Sequence, residues 1–233
     1  MVNALKLLLA VAAVMAVIFA GLFWPAENEA EPDPFEMAEH TLSYDNFRDA
    51  MPEMALEDIV PLHTVYSRMD DIRSGRFQYR ENYFAWRFTA PIDWRKTHEE
   101  LDVRRVIQRV AMADPFLRSY ATTGQAGDFR QAVFFLLDWQ KFYQEARQTT
   151  VHAWDIDAAR GRAARLAFVL SEINRDRTLL PRAASIKVMH LADFHVQRMV
   201  DPVYGAGQDT ILDTPEFAAL CKAVKLPDCN TAD

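Results

Sequence analysis

The chain has 233 residues and a formal charge of −7 at pH 7; half of its residues are hydrophobic and a quarter charged. That balance describes a globular chain able to bury a core and excludes a disordered one. The acidic bulk excludes nucleic acid as the expected partner, and a polyanionic sugar would need a local basic cleft.

Leu7 to Trp24 is an unbroken apolar run of 18 residues preceded by Lys6. A run of that length is enough for a transmembrane helix. Residues 1–24 are therefore expected to be an anchor in the inner membrane, with a cleaved signal segment as the alternative. Either way the body is exported, to the periplasm in a bacterial source. Residues 25–34, PAENEAEPDP, read as an acidic, Pro-rich linker. Residues 35–233 form the folded body.

The body reads as all-α. Leu56 to Ile72 has helical character with a break at Pro61. Phe77, Tyr79, Tyr83, Trp86 and Phe88 follow Gly75 and suggest a short β-hairpin near residues 76–90. Leu101 to Ala121 carries apolar residues at helical spacing; Pro115 should kink or divide it, and Gly124 should stop it. Further helices are expected over Ala126–Tyr143, Asp157–Asn174 and Pro181–Met199. In the last of these Ile186, Met189, Phe194 and Val196 point inward. A final helix starts at Asp213-Thr214-Pro215, with Thr214 or Asp213 as its N-cap, and runs to Lys225. Short loops between these helices favour antiparallel helix pairs.

Cys221 and Cys229 are the two cysteines. In an exported body a close pair invites a disulfide that staples the C-terminal end, with two free thiols as the alternative.

Several landmarks recur in a fixed order: Ile92-Asp93-Trp94, Leu117 to Gly124 (LRSYATTG), Leu137-Asp138-Trp139, Ala153-Trp154-Asp155, and Arg162 eight residues beyond Trp154. Their order and spacing resemble the N-terminal helical domain of the heparinase II/III-like (alginate-lyase-like) polysaccharide lyases over roughly residues 76–228. The resemblance implies an α/α toroid of antiparallel helix pairs, which in a chain of this length would be an incomplete arc. It also implies a uronate-directed β-elimination chemistry, in which an Asn-His pair neutralises the substrate carboxylate. The corresponding stretch here is Tyr204 to Asp213, where Gln208-Asp209 stand in place of Asn-His. A carboxylate at Asp209 would repel a uronate. The family's C-terminal β-sheet domain has no counterpart in this sequence.

Tyr204 and His152 are the candidate proton carriers, with a solvated loop histidine as the alternative for His152. Trp154 is a candidate stacking platform for a sugar ring, or a plug between helices. Arg162 is a candidate carboxylate or hydroxyl ligand, or a helix arginine paired with Asp155 or Asp157. Gln208 and Asp209 complete the candidate substrate-binding set. Trp94 and Trp139 read as core. His190 and His195 are five apart, the wrong spacing for two ligands on one helix face, so no metal and no cofactor are expected. The Ala158–Arg165 run reads as a solvated helix face or a basic patch. Phosphate-loop and serine- or metallo-hydrolase motifs are missing from the sequence.

The resulting expectation is a membrane-anchored, exported, carbohydrate-associated domain without a complete lyase site of its own. Its partners would be an acidic or neutral exopolysaccharide or a protein of a polysaccharide system. A divergent polysaccharide lyase and a scaffold subunit of a membrane complex are the alternatives.

Overall fold

The computed structural model describes residues 65–95, 100–146 and 152–200, with Thr214, Phe217, Ala218, Leu220 and Cys221. All belong to the compact unit Leu42–Asp233. The predicted anchor and linker, Tyr204, Gln208, Asp209 and Cys229 lie outside the described residues. Among the described residues no helix is long and apolar enough to cross a membrane.

The body is mostly helical, as its apolar spacing predicts. Of the helix expected over Leu56–Ile72, residues 65–72 are described: 65–68 are not helical, Tyr66 and Ser67 donating their N–H groups to the Gln78 carbonyl, and the helix is confined to the short α1 (Met69–Arg73). Asp71 Oδ2 accepts the Arg68 N–H at 3.1 Å and fastens its start. Gly75 then turns the chain at φ 79°. Its carbonyl accepts the Phe88 N–H at 2.9 Å. A Cβ at this position would lie 2.2 Å from the Phe88 carbonyl oxygen, so only glycine fits.

The expected hairpin is present. Strands β1 (Arg76–Phe77) and β2 (Trp86–Arg87) pair antiparallel, with Phe77 opposite Trp86 and Arg76 opposite Arg87. Phe77 and Trp86 are buried, so the aromatic pair faces the core.

Helix α2 (Leu101–Gln108) ends where Val110 adopts a left-handed φ of 59°. A 3₁₀ turn (Ala111–Ala113) follows, and α3 (Asp114–Thr123) begins with Pro115 in its first turn. The predicted division thus falls upstream of the proline, because a residue without an N–H belongs at a helix start and not in its interior. Gly124 closes α3 at φ 70° and donates its N–H to the Tyr120 carbonyl at 2.7 Å.

Three long helices follow among the described residues: α4 (Ala126–Ala146), α5 (Ile156–Arg175) and α6 (Arg182–Val200). Pro181 sits just ahead of α6, its carbonyl accepting the Ala184 and Ser185 N–H groups at 2.9 and 3.1 Å. Of the residues of α6 expected to point inward, Met189 and Val196 are buried, whereas Ile186 and Phe194 are half-buried. Val188, Leu191, Ala192, His195 and Met199 also point inward. Thr214 does cap a helical stretch, accepting the Phe217 N–H on its hydroxyl at 3.4 Å. Cys221 is buried and disulfide-bonded.

Helix α3 packs on α4, α2 on α5, and α6 on both α4 and α5. Helix α5 is the centre: every residue from Gly161 to Ile173 is buried. The Ala158–Arg165 run is therefore neither a solvated face nor an open basic patch. Its small alanines and Gly161 let neighbours approach closely, and Arg162 and Arg165 find partners inside. Arg165 grips Asp114 through Nε and Nη2, both bonds 2.7 Å, with neither side chain exposed beyond 3%. Nearer the other end of α5, Glu172 accepts the Tyr120 hydroxyl at 2.7 Å and pairs with Arg175. Burial and that bond to Glu172 push the Tyr120 hydroxyl pKa up to about 12.

A buried pair is costly to halve, because the survivor keeps its charge without a partner. Asp114→Ala is expected to destabilise the full-length chain by about 3–5 kcal/mol in chemical denaturation. An Asp114→Ala/Arg165→Met double variant should recover much of that loss.

Candidate functional site

Four of the five sequence landmarks, Ile92-Asp93-Trp94, Leu137-Asp138-Trp139, Ala153-Trp154-Asp155 and Arg162, meet in one buried cluster, whereas Leu117–Gly124 packs nearer the other end of α5, with Tyr120 on Glu172. Asp138 Oδ2, on α4, accepts the Ile92 N–H at 3.1 Å and the Trp94 Nε1–H at 2.9 Å. The Ile-Asp-Trp turn is thereby fastened to the Asp-Trp landmark 44 residues later in the chain. Gln108, the last residue of α2, ties the next layer. Its Nε2 donates to the Trp94 carbonyl at 2.9 Å, and its Oε1 accepts from Trp139 Nε1 at 3.1 Å and Tyr143 Oη at 2.9 Å.

Arg162 closes the cluster. It is 1% exposed. Nη1 donates to the Gln108 carbonyl at 2.5 Å and Nη2 to the Ala153 carbonyl at 2.6 Å. The guanidinium carbon lies 4.0 Å from the centroid of Trp139 and 4.9 Å from that of Trp154. Its partners are thus two neutral carbonyls and two aromatic rings, and Nε has none. Burial lowers its pKa to about 9, so it remains charged at neutral pH; Tyr143 opposes that shift and Arg165 adds to it.

His195, on α6, is the second polar group of this core, with 0% exposure. Its Nε2–H donates to the Ala159 carbonyl at 2.9 Å, which leaves Nδ1 as a bare, unpartnered acceptor. The ring lies 5.2 Å from Trp154 and 6.4 Å from Trp139, centroid to centroid. Burial, reinforced by the Arg162 charge and opposed by the Ala159 bond, drives its pKa down to about 3.

The turn 152–155 covers this cluster. His152 holds a left-handed φ of 77°, a conformation uncommon outside glycine. Its Nδ1–H donates to Asp155 Oδ2 at 2.7 Å, which leaves Nε2 as an acceptor when the ring is neutral. Arg105 Nε, on α2, stands 3.5 Å from the same carboxylate oxygen. Trp154 is half-buried. It packs edge-on to Trp139 at 5.8 Å and to Phe194 at 5.9 Å. Arg198 sits over the Phe194 ring at 5.5 Å. The outer surface is thus a histidine held by a carboxylate, beside an aromatic ridge.

Of the predicted site residues, the structure brings His152, Trp154 and Arg162 together. Arg162 is not an open, concave-facing ligand: it is sealed beneath the turn. It pairs with neither Asp155 nor Asp157, since Asp155 faces His152 and Arg105 and Asp157 faces Arg109 at 3.2 Å. Trp94 and Trp139 are core, as expected. Gln108 and His195 were not legible as members of this cluster. Gln108 carries no motif, and its partners come from residues up to 54 apart in sequence. No group of three or more metal-ligating side chains occurs among the described residues. No protein-family model matches this chain, and no curated protein and no solved structure matches it.

The pH dependence of stability follows from His195. Its folded-state pKa is depressed, so the unfolded chain binds the extra proton first. Stability is fully present above the unfolded value of about 6.5 and is lost as the pH falls toward 3. The slope contributed is roughly 1.4 kcal/mol per pH unit. Urea midpoints of the full-length chain measured from pH 7 down to pH 4 should fall steeply, and His195→Gln should flatten that fall.

Proposed function

We propose that this chain is an exported, membrane-anchored, carbohydrate-associated domain of incomplete α/α-toroid type. In this reading it binds an acidic exopolysaccharide, or serves the proteins that handle one, without a complete lyase site of its own. The observation that supports it most is the turn 152–155, which presents a half-buried Trp154 beside Phe194 and His152. An aromatic face with polar donors at its edge suits a pyranose ring, whose C–H groups stack and whose hydroxyls need partners.

A divergent lyase is the second reading, and one observation favours it. The His152–Asp155 pair is the arrangement that orients an imidazole as a proton carrier.

The test is binding of the full-length chain, in detergent, to an array of acidic and neutral glycans, with unsaturated products followed in the same wells. Binding is expected, and Trp154→Ala should weaken it about tenfold or more, as loss of a stacking aromatic does. Product formation lost in His152→Ala would move the assignment to the lyase. Absence of glycan binding would overturn the carbohydrate reading.

A further inference from the structure

We propose that Arg162 is a masked anion-binding group, and that the turn 152–155 is a displaceable cover whose Ala153 carbonyl holds the place of a ligand carboxylate. The inference deepens the carbohydrate reading and rests on it, because it names the recognised group as the carboxylate of an acidic sugar.

A guanidinium this deeply buried normally meets a carboxylate, because stripping a cation of water costs several kcal/mol. The neighbouring Arg165 obeys that rule with Asp114. Arg162 does not. Two backbone carbonyls satisfy Nη1 and Nη2, and Nε stays unpartnered. A carboxylate matches the guanidinium fork better than neutral carbonyls do.

The two carbonyls are not equivalent. Gln108 is anchored to Trp94, Trp139 and Tyr143 through its own side chain. Ala153 lies in a turn that starts at a left-handed histidine, a conformation that costs on the order of 1–3 kcal/mol. What latches the turn is the Asp155 carboxylate, which faces His152 at 2.7 Å and Arg105 at 3.5 Å. This carboxylate makes no capping bond to α5. Lifting the turn would carry Ala153 and Trp154 off Arg162 and relax His152. It would leave the guanidinium on the Trp139 face, open to an anion. Arg105, released from Asp155, would add a second positive charge to the rim.

Sodium glucuronate is the probe, with glucose as its neutral counterpart, titrated into the full-length chain while tryptophan fluorescence is followed. Glucuronate should give a saturable change as Trp154 moves, and glucose none. Arg162→Met should abolish the response. Asp155→Ala removes the latch and should tighten apparent affinity about threefold or more, by raising the population of the open form. A merely structural Asp155 would lower stability and leave affinity unchanged. The proposal is overturned by no saturable change, by an undiminished response in Arg162→Met, or by an Asp155→Ala variant that binds no tighter than the parent. Because Asp155→Ala leaves the core polar network in place, that arm stands even if Arg162→Met does not fold. Array binding that depends on Trp154, without any glucuronate response, would sink the masked site and leave the carbohydrate reading standing.

Discussion

One buried cation that no carboxylate neutralises organises this domain. Arg162 enters from the central helix α5 and touches, through hydrogen bonds or ring faces, the end of α2, the Trp139 face of α4 and the turn that leads into α5. Its charge is not cancelled by a carboxylate, so the interior must stabilise it by dipoles and π faces placed in fixed positions. That requirement explains the neighbours. Gln108 must present its carbonyl, and its own amide is pinned on three sides. His195 must stay neutral, because a second cation beside Arg162 has no compensation. The helix pairs α2–α5 and α5–α6 share these demands, so their packing is specified by polar geometry as much as by apolar volume.

Much of the fold was legible in the sequence because local signals and tertiary packing agree. Pro115 and Gly124 act through backbone geometry alone, and they mark a helix start and a helix end as expected. The aromatic stretch after Gly75 makes a hairpin because Phe77 and Trp86 both find the core. The Asp-Trp and Ile-Asp-Trp landmarks were visible as patterns, but the hydrogen bonds joining them through Asp138 were not.

What sequence reading missed has one physical origin. Helical spacing reports polarity, and polarity predicts exposure only when polar groups keep their water. In α5 two arginines surrender their water to partners on other elements, Arg165 to Asp114 on α3 and Arg162 to Gln108 on α2 and Ala153 in the turn before α5, across 51, 54 and 9 residues of sequence. The Ala/Arg run therefore looks like a solvated face and is a core. On α6 the same effect turns His195 inward and leaves Phe194 half-buried, where it extends the Trp154 ridge. The candidate site was legible in the same uneven way: His152, Trp154 and Arg162 were named from spacing, while the arrangement that seals Arg162 beneath the other two depends on the left-handed turn at His152.

The central claim is that Arg162 is a charged group held between Trp139 and Trp154 and closed off from water. The most direct measurement is side-chain ¹⁵N NMR of the arginine guanidinium groups in the full-length chain, with Arg162→Lys as the assignment control. The account predicts one Nε–H resonance, absent from that variant, shifted by the tryptophan ring currents and exchanging slowly with water at neutral pH. An Arg162 resonance at the position of an exposed arginine and exchanging at its rate would contradict it.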